Sequence, residues 1–239
     1  SIILHKLKHP AIIKFIGINF KSLSDSSTFE PTIITENMKN GSLKDILEKE
    51  RKNEKLSKMK WNLTKKYIFL LGIADGMRYL HQHGIIHRDL TPANILIDSN
   101  FNPRICDFGQ STYCNDQFKN LKISGNIGAP LYSAPELFDE IYDKSVDVYS
   151  FAIVTYEIFA KQKPFAEIKL KSSFDLAKKV TSGLRPEFND NIPDKIKDLI
   201  TKCWDGDASK RPSFDEIFEL LSTDFSFLGD PKNFDVDEI

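Results

Sequence analysis

Apolar positions fall in short alternating runs near the start of the chain and settle into helical spacing further on. Ile3, Leu4 and Leu7 lie at helical spacing over 2–7, and His9-Pro10 stops that helix. Residues 12–20 and 32–36 read as strands, separated by a Ser-rich loop over 21–30. Asn40-Gly41 is a turn, and Ser42 is an N-cap for a helix carrying Leu43, Ile46 and Leu47. The mixed charges of 48–60 read as a solvated helix end and loop. A long helix over 62–83 carries a stripe of Phe69, Ile73, Met77 and Leu80, and Gly84 ends it. Ile95-Leu96-Ile97 and Arg104-Ile105-Cys106 flank an Asp98-Ser99-Asn100 turn, a small β-hairpin. Residues 110–130 are polar and aperiodic, which is more often functional or mobile than architectural. From Ser145 to Phe159 the chain is apolar almost all round, as the central helix of a helical domain should be. Shorter helices are expected over 174–182, 194–203 and 214–221, with a frayed acidic end at 234–239. Strands come early, helices late, and nothing repeats, so the fold class predicted is α+β.

Composition changes this picture little. The 239 residues are enough for a sizeable core, and 41% hydrophobic with 28% charged residues is ordinary for a globular chain. A net charge of −1 gives no electrostatic reason for a nucleic-acid or membrane partner. Cys106, Cys114 and Cys203 are too few and too irregular for a disulfide framework or a zinc site, so a cytoplasmic location is expected. The apolar run 146–160 contains Asp147 and Glu157 and is short for a bilayer. The apolar Ile2-Ile3-Leu4 start suggests an element cut through, and the sequence is read as a fragment.

Candidate chemistry gathers between the apolar runs Ile85-Ile86 and Ile95-Leu96-Ile97, where a loop pinned at both ends holds His87, Arg88, Asp89 and Asn94. A carboxylate and an amide aimed at one point suit a proton acceptor beside a metal ligand. Three ordered motifs then give this pair a context. His87-Arg88-Asp89 with Asn94 matches H-R-D-x-x-x-x-N, Asp107-Phe108-Gly109 matches D-F-G, and Ala134-Pro135-Glu136 follows. With Asp147-Val148-Tyr149-Ser150-Phe151 and Lys210-Arg211-Pro212-Ser213-Phe214 further on, residues 1–223 resemble the eukaryotic protein kinases.

The resemblance implies a mainly helical C-lobe with a remnant of the β-rich N-lobe: N-lobe over 1–36, hinge and C-lobe over 37–223, a tail over 224–239. It implies transfer of the γ-phosphate of Mg-ATP to a protein hydroxyl, a reaction governed by positioning and charge neutralisation. Asp89 would accept or orient the acceptor proton, and Asn94 and Asp107 would bind Mg2+. Thr35 would be the gatekeeper, the backbone of Glu36 and Met38 the adenine-binding hinge, and Leu96 the pocket floor. Arg88 would receive a phosphate placed by an upstream kinase on 110–130, with Ser124 the best-placed acceptor and Ser111, Thr112 and Tyr113 its rivals. Asp147 would hold the catalytic loop, Glu136 and Arg211 would pair, and Leu4, Phe15, His87 and Phe108 would stack as a spine.

The sequence departs from the pattern in two ways. No G-x-G-x-x-G loop or V-A-I-K strand is present, so weak nucleotide binding and reduced activity are expected of these residues alone. Thr91 and Ala93 leave the catalytic loop without the Lys or Arg that the family places there, and Ala129 replaces a usual Thr. A missing preorganised charge of this kind typically lowers a rate on the order of 10²- to 10³-fold. Pro92 and the lack of an A-A-R or R-A-A tripeptide favour Ser/Thr specificity, of the tyrosine-kinase-like subgroup. The alternative is a pseudokinase that binds or scaffolds without turnover.

Overall fold

The computed structural model describes residues 3–20, 32–56, 59–114, 130–138 and 142–228. The chain enters through a single 3₁₀ turn, Leu4–Lys6, rather than the helix expected over 2–7, because Leu7 is already extended before His9-Pro10. The apolar face was still legible, since Ile3, Leu4 and Leu7 are all buried. β1 (Phe15–Asn19) pairs antiparallel with β2 (Thr32–Thr35), with a bulge between Phe15 and Gly17. The strand expected from residue 12 begins at 15. Ile12 and Ile13 are diverted into the core, where the Ile13 amide donates to the Ile105 carbonyl at 2.9 Å.

Two helices and two short strand pairings build the rest of the site's support. α1 (Leu43–Arg51) starts at a capping box: the Asp45 amide donates to Ser42 Oγ, and the Ser42 amide to the Asp45 carboxylate. α2 (Leu63–Gln82) is capped by Asn62, whose side chain accepts from the Lys65 amide, and ends before Gly84 at φ +67°. β3 (Ile85–Ile86) follows, then β4 (Ile95–Ile97) and β5 (Pro103–Ile105), paired antiparallel. The second strand of that hairpin sits one residue earlier than expected, because its tip is set by Asp98. The Asp98 carboxylate accepts from the Asn100 and Asn102 amides and from the Arg104 guanidinium. β6 (Thr112–Tyr113) pairs with β3, inside a stretch read as aperiodic, because its partner is only two residues long.

α3 (Ser145–Ala160) is the centre of the molecule, buried from Val146 to Ala160. α4 (Ser173–Thr181) packs on the 3₁₀ turn Pro135–Phe138, α5 (Asp194–Cys203) on α3, and α6 (Phe214–Thr223) on α2, which also packs on β5 and α3. Gly72 and Gly76 let β5 close on α2: a Cβ at either would stand 2.7 Å from Pro103 or Ile105. Asn40 donates to the Asp98 carbonyl at 2.6 Å, tying the turn before α1 to the hairpin. Ser124, Ala129 and the acidic 234–239 end lie outside the described residues. The result is a mixed α+β fold, helical in its C-terminal part.

Candidate active site

The β4–β5 hairpin explains why two residues thirteen apart in sequence act together. Asn94 precedes β4 and Asp107 follows β5, and antiparallel pairing sets the two strand ends side by side; the Cys106 amide donates to the Asn94 carbonyl at 2.9 Å. Asn94 Nδ2 then donates to both the carbonyl and Oδ2 of Asp89, each at 2.8 Å. Asp89 and Asn94 thus meet at the open end of the hairpin, where the neighbouring strand leads through Cys106 into Asp107.

The loop is held from below by a buried carboxylate. Asp147, fully buried at the start of α3, accepts from the His87 amide on Oδ2 and from the Arg88 amide on Oδ1, both at 2.8 Å, and lies 2.9 Å from His81 Nε2. Burial alone would raise its pKa. The hydrogen bonds and nearby imidazoles of His81 and His87 outweigh burial and hold it below the usual carboxylate value. His87 also reaches the Cys106 carbonyl at 3.0 Å and meets the Phe108 ring edge-on at 5.2 Å, joining the two motifs. Of the four spine residues, this His87–Phe108 pair is in ring contact. Arg88 and Asp107 are left-handed at φ +65° and +58°, a strain of about 1–3 kcal/mol each that the surrounding bonds hold in place.

Arg88 donates to the Gln110 carbonyl through Nε and to Tyr142 Oη through Nη1 at 2.7 Å, and Ser111 Oγ reaches the His87 carbonyl at 3.3 Å. Thr91 is buried, and its carbonyl accepts the Asn94 amide at 3.0 Å. Glu136 and Arg211 form a forked pair at 2.6 and 3.0 Å, and Arg211 also donates to the Asp205 and Ser145 carbonyls. Thr35 closes β2 opposite Phe15, and the Glu36 amide donates to the Lys14 carbonyl at 3.0 Å. Met38 is half-buried. The Ile97 amide donates to the Gly41 carbonyl, and Ser42 bridges to Leu96, so residues 41 and 42 run beside β4. Thr35 and Glu36 thus take their partners from 14–15, and Leu96 takes its own from Ser42.

Sequence reasoning missed His81, which meets Asp147, and Tyr142 and Gln110, which take the Arg88 guanidinium. Each contact spans distant parts of the chain, and no local spacing marks it.

A family model described as protein tyrosine and serine/threonine kinase matches residues 1–221. The chain belongs to this kinase family. Among curated kinases, it is 38% identical over 224 residues to a probable serine/threonine-protein kinase of Dictyostelium discoideum, covering 92% of this chain and 22% of the relative. It is 37% identical over 220 residues to the dual specificity protein kinase shkB of the same organism, covering 90% of this chain and 31% of that kinase. It is 37% identical over 230 residues to serine/threonine-protein kinase VIK of Arabidopsis thaliana, covering 92% and 48%. This kinase domain therefore spans less than half the length of each of these relatives.

Proposed function

We propose that the chain transfers the γ-phosphate of Mg-ATP to a serine or threonine hydroxyl of a protein, as a member of the tyrosine-kinase-like serine/threonine subgroup. The observation that carries this reading is the double hydrogen bond from Asn94 to Asp89, on a loop whose amides rest on Asp147. Asp89 is held in one orientation, as the group that accepts or orients the acceptor proton must be.

The residues fit a divalent cation. Burial, and then the charges of Asp107 and Asp89, push the Cys106 thiol up to about 12. With its amide nitrogen committed to Asp89, Asn94 presents its oxygen as a ligand, and Asp107 offers a carboxylate; hard oxygen donors in this number suit Mg2+ shared with phosphates. Bound there, Mg2+ supplies neutralisation of the phosphate charge. Thr35, the backbone of Glu36 and Met38, and Leu96 hold the adenine in this reading. An upstream kinase acting within 110–130 would place its phosphate toward Arg88, whose guanidinium already ties that segment to Tyr142.

Thr91 favours a second reading, a pseudokinase that binds without turnover, because the loop carries no cation where one would meet the transferred group. One experiment separates the two. Phosphate incorporation into a protein acceptor by the longest native protein carrying this chain should fall about 10²- to 10⁴-fold in Asp89→Asn. Equal incorporation by both proteins would leave only the binding reading.

A further inference from the structure

Two hollows meet at Pro10 and Arg104, and neither is lined by Asp89, Asn94 or Asp107. The larger, about 560 Å³, is walled by the buried Leu7, Ile12 and Ile13 and the half-buried Phe15. The smaller, about 350 Å³, is walled by Ile68, Leu71 and Gly72 of α2, Pro103 of β5 and Phe218 of α6. The chain from Lys8 to Ile13 borders both and is fixed along its length. The Lys8 amide donates to Tyr79 Oη at 3.0 Å. His9 Nδ1 accepts the Ala11 amide, which leaves its Nε2–H to meet Asp75 at 3.3 Å, and the ring stacks on Tyr79 at 4.7 Å. The Ala11 carbonyl and the Ile13 amide both bond to Ile105 on β5. The groove is therefore preformed, and a ligand entering it does not have to order its walls.

The chain as a whole is balanced, with 33 Lys and Arg against 34 Asp and Glu. Around the larger hollow that balance is broken, since Lys8, Lys14 and Arg104 stand against Glu36 alone. Glu36 Oε1 accepts the Lys14 amide at 2.7 Å, and Arg104 is forked onto Asp98 at 3.0 and 2.8 Å. Lys8 and Lys14 are exposed, and no carboxylate among the described residues pairs with either ammonium. The smaller hollow is neutral, because Asp75 pairs with Arg78 and Asp98 with Arg104. Two unneutralised cations beside an apolar wall attract carboxylates, and the apolar hollow beyond them rewards burial. Phosphate is a poorer match. It is held best by a free guanidinium fork, and the one arginine lining either hollow is already committed.

We propose that this groove docks an extended acidic segment of a partner protein, with carboxylates at Lys8 and Lys14 and a large apolar side chain in the hollow beside Phe218. The site stands apart from the Asp89 loop, so its occupancy is independent of whether the chain turns over ATP.

The test uses the longest native protein carrying this chain, with fluorescent octapeptides that set three acidic residues beside a Leu-Phe pair, in both orders. Fluorescence anisotropy should give a Kd of about 10–100 µM for one order. Affinity should fall about threefold or more between roughly 50 and 300 mM salt. Lys8→Glu combined with Lys14→Glu should weaken binding about tenfold or more, and reversing exposed charges leaves the fold intact. Leu71→Ser should cost about fivefold; Ala-Ala for Leu-Phe in the peptide should cost as much in the wild type and nothing further in Leu71→Ser. Binding weaker than about 1 mM for every peptide would overturn the proposal, as would unchanged binding in the double lysine variant. A gain of about tenfold on deleting 229–239 would give the groove to the chain's own acidic end. A dimer in sedimentation that the lysine variant abolishes would give it to a second copy. Either result would overturn the partner assignment.

Discussion

The β1–β2 hairpin and helix α3 are both rich in large apolar residues, yet they meet opposite fates. Ile153 on α3 is fully buried, whereas Ile16 on β1 is 61% exposed, and Ile33 and Ile34 on β2 are 42% and 45% exposed. Residue type is the same; the difference is the number of layers. α3 has α5 on one side, α2 on another and the 130–138 segment across it, so every face finds a partner. Among the described residues β1 and β2 pair only with each other, and a two-stranded sheet can bury little on its own faces. Burial is thus decided by what lies opposite. Asp89, Asn94 and Asp107 hang from the well-packed half through Asp147 and β4–β5. Thr35 and Glu36 continue from the thinly covered hairpin.

The largest effect that would sharpen this contrast is Phe151→Ala, a fully buried side chain on α3. It should lower stability by about 3–5 kcal/mol in chemical denaturation, through lost burial and the cavity left behind. A loss below about 1 kcal/mol would mean α3 is not the packing centre.

Asp147→Asn should follow, with a loss of about 2–3 kcal/mol at neutral pH, since it turns an amide donor toward groups that already donate. The sign with pH is fixed by its lowered folded-state pKa. The stabilisation is present above the unfolded value of 3.8 and is lost as pH falls through the folded one. Denaturation curves between roughly pH 6 and pH 2 should therefore show a steeper loss in the wild type than in Asp147→Asn. Parallel curves would remove Asp147 from the acid sensitivity of the fold.

The smallest effect belongs to the hairpin. Ile16→Ala should change stability by less than about 0.5 kcal/mol, because an exposed isoleucine has little burial to lose. A loss of 2 kcal/mol or more, about that of a buried isoleucine, would abolish the contrast.

What was legible in the sequence was whatever local chemistry decides. Ser42 and Asn62 start helices because their side chains cap the next free amides. Gly84 ends one because it accepts a left-handed backbone, and the unbroken apolar run of α3 already required burial on all sides. The apolar runs on either side of the Asp98-Ser99-Asn100 turn announced the β4–β5 hairpin, which sets Asn94 beside Cys106. What the tertiary structure alone decided was long-range. It sent Ile12 and Ile13 to β5 rather than β1, and made a strand of Thr112–Tyr113 only because β3 lay beside it. It also brought Arg51, Tyr132 and Glu157 together from three distant elements. Spacing along a chain reports which face a residue takes; which group will stand opposite that face depends on how the elements pack.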